Sequence, residues 1–485
     1  MRFLQHLCMH KAEIPRLLKT STATILCLMS AMPLGAQLPG ASALPAGPPA
    51  MAAGFTGSVP TGVRTAAPLD LTLADAIQRG LKYNIGVLSS EQATQSVAAQ
   101  RRRALSNLLP QINGAVTSNE QQIDLAAFGF KLPGQSPIVG PFGYVDARAS
   151  LSQEVVNIAQ VRNARSAAAS LDAARLNLQD SRELVVQAVA AAYLAILADA
   201  ARLTATQADV ATASAEFTQA SDQKQAGTIA GIDVLRSQVE LKTQQQRAVV
   251  DAHTLARDKL NLARAIGLPA GQEFNVTDQF PFSAVAVVTP EDAVAQAYRD
   301  RADYHAAEAQ VRAAELARGA AKAERYPGIA VSANYGAIGE SFNNSHGTFG
   351  VTSTLHFPIF DGGRIRADVD AADAVLKQRR DELGDLKGRI DYEIRTALLN
   401  LQASADQVEV ARVNADLAAQ TLAQARDRFA AGVTNNIEVV QAQESVAAAS
   451  ENLIASTYQH NLAKIALARA TGATEAGLKK FLGGR

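Results

Sequence analysis

Two long stretches of the chain contain no proline, and they constrain the fold more than any motif does. They run from Phe142 to Leu268 and from Ile359 to Arg485, and each follows a short segment in which polar and apolar residues alternate. Proline removes a backbone donor and clashes with the preceding helical turn, so its absence over such lengths permits very long helices. Two such stretches, each paired with a strand-like segment, predict a duplicated unit.

The duplication is visible residue by residue. Segment 71–76 (LTLADA) recurs 217 residues later as segment 288–293 (VTPEDA). In both, a threonine precedes an aspartate by three residues, which is typical of a helix N-terminus. Further matched pairs are Pro110 with Pro327, Ala226-Gly227 with Ala431-Gly432, and Gly267 with Gly472. The matches predict one unit over residues 69–287, a second over 288–475, and a C-terminal tail over 476–485.

The N-terminus has the pattern of a secretory signal peptide. Residues 1–36 combine basic residues, a short apolar stretch (Ala23 to Met32) and small residues at 34–36. An uncleaved anchor or a misassigned start is the alternative. Residues 37–68, rich in Pro, Gly and Ala, follow as a flexible leader. Because Cys8 and Cys27 fall within the signal, we expect a mature chain without disulfides or cysteine-based sites.

Composition argues against several classes of function. The chain carries 46 basic and 46 acidic residues, so no net charge attracts nucleic acid. It has no tryptophan and only 5% aromatic residues, which suits slender, closely packed helices. Its histidines beyond the signal do not fall at metal-ligand spacing, and no nucleophile lies near a base in a known pattern. We therefore expect no catalytic residue, no metal and no cofactor, and predict that the protein is not an enzyme.

Alternating segments at about 111–156 and 328–358 each predict two strands. In the second strand of the first unit, Val145, Ala147, Ala149 and Leu151 point one way and polar residues point the other. Strands of about ten residues cross a bilayer at a tilt, although a soluble sheet with one wet face fits the pattern equally well. The signal peptide favours the membrane, as does the lack of an 18-residue apolar helix, the best stretch being Ala188 to Ala198.

The number of strands and the length of the helices predict an assembly of several chains with long helical segments. Four strands cannot close a barrel, because the smallest single-chain barrels have about eight, so several chains must contribute to one wall. The helical tracts at roughly 159–225 and 363–430 would each be about 100 Å long. A solvated coiled-coil rod remains the alternative for these helices. Each tract turns back once, at tips near 226–232 and 431–437.

In order, spacing and duplication, these motifs resemble the TolC-like outer-membrane efflux proteins over about residues 69–475. The matches are residues 71–77, Phe360-Asp361-Gly362-Gly363-Arg364 where a strand passes into a long helix, and the two tips. The resemblance implies a mainly α fold with transmembrane β: a homotrimer with a 12-stranded barrel, four strands per chain, continued by a long helical barrel. It implies an outer-membrane exit duct that extends into the periplasm and docks a periplasmic adaptor and an inner-membrane pump.

The helix tips are the candidate functional sites. The resemblance makes them the gated periplasmic mouth, with adaptor contacts at Gly227, Thr228, Gly432, Val433 and Thr434. Asp233 and Glu438 begin the next helices, where a carboxylate also complements the helix dipole. The matched position of Glu438 forms an acidic constriction in the family. In the family a second acidic residue follows one turn later, but here that position is Gln441, which predicts weaker cation selectivity. Arg236 is a candidate latch to the neighbouring hairpin.

One rival from another class remains. A soluble periplasmic coiled-coil adaptor or scaffold would also contain long helices, but it would have one hairpin and a separate β domain. The present sequence predicts two hairpins and two strand pairs. Neither interpretation identifies a transported substrate.

Overall fold

A computed structural model describes residues 55–130, 136–279, 282–283, 288–431, 433–434 and 436–475. The predicted signal peptide, most of the leader, Gly432 and the tail 476–485 lie outside them. In chain order the elements are β1 (Leu69–Leu71), α1 (Leu73–Tyr83), α2 (Ile85–Ser106), β2 (Gln111–Asp124), a 3₁₀ turn (Leu125–Phe128), β3 (Ile138–Val156), α3 (Ile158–Gln225), α4 (Gly231–Ala265), β4 (Phe274–Val276), α5 (Pro290–Asp300), α6 (Ala302–Ala323), β5 (Gly328–Ser341), β6 (Asn344–His356), α7 (Arg364–Ala430) and α8 (Asn436–Ala470).

The two halves of the chain repeat one order of elements. Two short helices lead to a pair of strands, and the second strand leads to a very long helix that turns back as a shorter one. α3 has 68 residues and α7 has 67, so each is about 100 Å long. The predicted class, mainly helical with four long strands in each chain, is confirmed.

Side-chain caps fix where the helices begin. The Thr72 hydroxyl accepts a hydrogen bond from the Asp75 backbone N–H at 3.1 Å, and Thr289 caps α5 in the same way. α7 begins differently, because both carboxylate oxygens of Asp361 accept backbone N–H groups, from Gly363 and Ile365. Gly363 has a φ of +89°, which an L side chain adopts only with strain. This geometry explains the Asp-Gly-Gly signature.

The sequence predicts one helix before each strand pair, but the structure divides it into two. The breaks fall at Asn84 and Arg301, which are 217 residues apart and occupy matched positions of the repeat. The Asn84 side-chain amide donates to the carbonyl of Ala265 at 3.0 Å. The Arg301 guanidinium donates to the matched carbonyl, that of Ala470, at 3.3 Å. Both breaks are therefore tied to the end of the hairpin in their own half.

The largest buried cluster surrounds the middle of α3. It includes Val185, Val189, Tyr193 and Ile196 of that helix, packed against α1, α4 and α8. α3 contains an 18-residue stretch that is apolar enough to cross a membrane, judged by length and composition alone. No such stretch is expected from the sequence. Half of the stretch is buried by the protein itself, which accounts for its apolar character without a bilayer.

The four long strands form one antiparallel sheet in the order β2-β3-β5-β6. They have 13 to 19 residues rather than the predicted ten, so they exceed the length needed to cross a bilayer. A two-stranded parallel pair, β1 with β4, was not predicted from the sequence. Three residues in each strand give too short a pattern to recognise.

Candidate channel gate and membrane sheet

The tip of the first hairpin is a glycine turn closed by a threonine. Gly227 has a φ of +74°, the left-handed conformation expected at a helix C-terminus. Thr228 binds the carbonyl of Gln223 twice, through its backbone N–H and its hydroxyl, each at 2.9 Å. Asp233 lies in the first turn of α4. The tip is thus a rigid turn with an acidic residue at its exit.

The second tip repeats this design, with a stronger ionic contact. The backbone N–H of Val433 donates to the carbonyl of Arg428 at 3.0 Å, as Thr228 does at the matched position. The Arg428 guanidinium also lies 2.7 Å from the carboxylate of Glu438, which accepts a hydrogen bond from Thr434 as well. A cation and a hydroxyl of the same hairpin therefore compensate the charge predicted to line the constriction. Gly432 lies outside the described residues.

Arg236 does not bridge the two hairpins of one chain. Its guanidinium pairs with Asp233, one turn earlier on the same helix, at 3.1 Å. It is α3, rather than α4, that packs along the second hairpin. Gln441 is exposed on α8. Within one chain the structure brings Asp233 together with Arg236, and Arg428 together with Glu438.

The link between the hairpins lies in the seam where α3 packs along α8, and one ion pair also reaches from α3 to α7. Arg426 of α7 contacts Glu216 of α3 at 3.1 Å, and Arg202 of α3 contacts Glu451 of α8 at 2.8 Å. Burial raises the pKa of Glu216, and the charge and hydrogen bond of Arg426 partly offset that rise. Sequence reasoning missed both pairs, because partners more than 200 residues apart leave no local pattern.

The sheet has one apolar and one polar face. Ile112, Val116, Tyr335, Phe349 and Val351 share the first face, and each is more than two-thirds exposed in the chain. On the other face Arg148 pairs with Asp146 at 3.1 Å and donates to Asn334 at 2.7 Å. Aromatic and β-branched side chains left open to this extent are typical of a surface that meets lipid, with the polar face toward a lumen.

Both outer strands of the sheet have an unpaired backbone edge. Among the residues that the structure describes, β2 pairs only with β3, and β6 pairs only with β5. Unpaired backbone N–H and C=O groups are not tolerated in hydrocarbon, so a sheet that enters the bilayer needs further strands at both edges. One chain does not contain a closed barrel within its described residues.

The described residues offer no alternative chemistry. They contain no group of three or more His, Cys, Asp and Glu side chains that could hold a metal ion. The most buried basic pair is His460 with Lys464, one turn apart on α8, and Ser283 contacts both. Burial lowers the pKa of Lys464 to about 8, and no carboxylate among the described residues pairs with it.

Long helical hairpins that continue from a sheet with one exposed apolar face are typical of a class of outer-membrane channels. Comparison with known proteins points to the same class. The family profile described as "Outer membrane efflux protein" matches residues 76–268 and 293–473. This match covers most of the chain and shows that it belongs to the outer membrane efflux protein family. The gap between the two matched segments coincides with the connection between the two repeats.

Two distant relatives and one solved structure match over more than four-fifths of the chain. The probable efflux pump outer membrane protein SepC of Pseudomonas putida is 24% identical over 416 residues, covering 83% of each chain. The outer membrane protein OprJ of Pseudomonas aeruginosa is 26% identical over 428 residues, covering 83% of this chain and 84% of its own. The solved structure of VceC from Vibrio cholerae superposes with a TM-score of 0.72 at 17% identity, covering 82% of this chain and 96% of that one.

The protein is therefore an outer-membrane channel of the efflux type that extends into the periplasm. The predicted function and location are confirmed, and the scaffold alternative is not supported. The family is one of transport channels, in agreement with the prediction that the protein is not an enzyme.

Proposed function

We propose that three copies of this chain close a 12-stranded barrel and form one exit duct. The observation that carries the proposal is the four-stranded sheet with an apolar exposed face and two open edges. Two copies would supply eight strands and three would supply twelve, and the resemblance to TolC-like proteins favours three. In the trimer, β2 of one copy pairs with β6 of the next.

The helices support the same assembly. Four helices of a chain lie side by side in the order α4, α3, α8, α7, so α4 and α7 are the outer members. Both have exposed apolar residues, among them Val239 and Val249 on α4 and Leu399 and Val410 on α7. In a ring of three chains, α7 of one copy packs against α4 of the next and covers these residues.

The tips of the two hairpins are the proposed gate and the docking point for partners. Each tip ends on exposed residues, such as Gly227 and Val433, that a periplasmic adaptor can contact. An adaptor and an inner-membrane pump would complete the export route, as the name "efflux pump outer membrane protein" implies for SepC. We propose that Asp233, Arg236, Glu438 and Gln441 line the mouth, and that Arg236 latches to a hairpin of the neighbouring copy.

Cysteine cross-linking tests the trimer. The natural cysteines, Cys8 and Cys27, both lie in the predicted signal, so introduced pairs are readily assigned. Single cysteines along β2 (113–121), combined with single cysteines along β6 (346–354), should yield a covalent trimer in detergent at one register. Equivalent cysteines on β3 and β5, which are paired within one chain, serve as the control and should cross-link only internally. A monomer by native mass spectrometry, with no β2–β6 product, would refute the proposal.

A further inference from the structure

At one point of the seam between the two hairpins, here called the joint, several carboxylates surround one arginine, Arg202. Arg202 of α3 contacts Asp199 on its own helix at 2.7 Å and Glu451 on α8 at 2.8 Å. The guanidinium of Arg202 therefore holds α3 to α8 of the second hairpin, and it also neutralises the carboxylate of Asp199 on its own helix. Any change in the charge of Asp199 acts directly on this joint.

Asp199 is only 6% exposed, and its two oxygens have different surroundings. Oδ1 accepts from Arg202, whereas Oδ2 is buried and receives no hydrogen bond from any described residue. A buried, ionised oxygen without a donor is costly, because it loses its hydration and gains nothing in return. The carboxyl of Asp258 on α4 is the neighbouring group whose charge, after burial, contributes most to raising the pKa of Asp199, so it is the acceptor for a proton on Asp199.

The other charged groups around Asp199 leave the site with excess negative charge. α4 contributes Asp258, held by Arg257 at 3.1 Å, and Asp251, which accepts from the Thr206 hydroxyl at 2.6 Å. From α8 come Glu451 and the hydroxyl of Tyr458, which is buried and has no hydrogen-bond partner among the described residues. Three carboxylates, those of Asp199, Asp258 and Glu451, thus share two guanidinium groups, and that of Arg257 is largely exposed. Asp251 lies in a groove that Arg247 also lines.

A proton is the ligand that fits this site. Bound to Asp199, it removes one negative charge and converts a bare buried acceptor into a donor to the neighbouring carboxylate. The described residues provide no group suited to a metal ion that would do the same. A shared proton would also connect α3 to α4, while Arg202 connects α3 to α8.

We propose that Asp199 and Asp258 form a proton-binding site between α3 and α4, and that its occupancy makes the joint between the hairpins respond to pH. In the protonated state one O–H···O bond joins the two helices, and Arg202 remains paired with Glu451. On deprotonation the proton goes to water, two carboxylates face each other across α3 and α4, and Arg202 is shared between Asp199 and Glu451.

The direction of the pH response follows from the pKa of Asp199. Burial, and then the negative charge of Asp258, raise this pKa to about 6, although Arg202 opposes the rise. In the unfolded chain an aspartate has a pKa of about 3.9. The folded protein therefore binds the extra proton between those values, so the contribution to stability is complete below about pH 4 and is lost as the pH rises through 6.

The experiment compares the full-length protein in detergent with the variant Asp199→Asn. Infrared difference spectra between pH 5 and pH 7 should contain a protonated-carboxyl band from Asp199 that is missing in Asp199→Asn, beside the contribution of Glu183 that both proteins share. Over the same range, the ratio of folded to unfolded protein should fall by up to about tenfold per pH unit more in the original protein than in the variant. The matched control is Asp222→Asn, an exposed aspartate of the same helix, which should change neither signal.

A second variant keeps the test decisive if Asp199→Asn folds poorly. Asp258→Asn removes the like charge, so the carboxyl band of Asp199 should titrate at a lower pH. Glu183, whose pKa is raised by burial to about 7, titrates in every variant and cancels in the comparison. The proposal is overturned if Asp199→Asn keeps both the band and the pH slope, or if Asp258→Asn leaves the titration where it was.

Discussion

Residues at matched positions of the two repeats make equivalent contacts through different side chains. Asn84 and Arg301 both interrupt a helix and both bind a carbonyl at the end of the hairpin in their own half. Gly267 and Gly472, which follow those hairpins, lie so close to the breaks that a Cβ on either would come within 3 Å of Tyr83 or Arg301. The duplicated unit therefore preserves the contact but not the residue that makes it.

Arg301 should contribute strongly to stability, because it is almost fully buried and neutralises Asp303 and Glu393 at 2.8 and 2.7 Å. We expect Arg301→Met to lower the free energy of unfolding by about 3–5 kcal/mol, since Asp303 loses its ion pair and Glu393 keeps only the longer one with Arg389 at 4.0 Å. Arg395→Met removes an exposed pair on α7 and should change the free energy of unfolding far less. Equal shifts in the two denaturation midpoints would contradict this ranking.

The contact between Arg428 and Glu438 makes a specific prediction about ion selectivity. Arg428→Gln should increase the preference of the channel for cations, because the carboxylate at the tip loses its counter-charge. Glu438→Gln should change the preference in the opposite direction, and Gln441→Glu should raise cation preference. Reversal potentials in a salt gradient across planar bilayers measure all three. Shifts of the same sign for the first two variants would place this pair away from the ion path.

At the scale of helices and strands, sequence patterns predicted the structure correctly where it depends on residues close together in the chain. The alternation around Val145 predicts the faces of β3, and the lack of proline predicts α3 and α7 to within a few residues. The helix breaks at Asn84 and Arg301 were not predicted, because their partners are carbonyls about 170 to 180 residues away. Gly227, Asp233 and Glu438 lie in the turns where the sequence predicts them. The pairing of Glu438 with Arg428 was not predicted, because it depends on how the tip folds back.

The seam between the hairpins should act as one element in gating. If the pair of Glu216 and Arg426 restrains the second hairpin against α3, then Glu216→Gln and Arg426→Gln should each raise the open probability in planar bilayers. The double variant should add little to either, because both changes remove the same contact. Arg412→Gln, which breaks an exposed pair within α7, should leave the open probability unchanged. Additive effects of the two seam variants would argue against a shared restraint.

At the scale of the whole molecule, the outer faces of α4 and α7 are predicted to hold the copies together. Replacing Val239 and Val249 with Lys should weaken the trimer, because two exposed apolar side chains of α4 would become charged at the contact with α7. Mass photometry in detergent should then detect single chains at low concentration. Val63→Lys, at a position that is 89% exposed and belongs to neither α4 nor α7, is the matched control and should leave the trimer intact.

The two open edges of the sheet also determine the order in which the protein can be made. A lone chain would carry the free backbone groups of β2 and β6 into hydrocarbon, where each costs several kcal/mol, and in water the same edges invite aggregation. Neither environment suits the single chain, so strand pairing between copies has to precede or accompany entry into the bilayer. Biogenesis of this channel should therefore depend on the concentration of chains at the membrane surface, with assembly, rather than insertion, as the committed step.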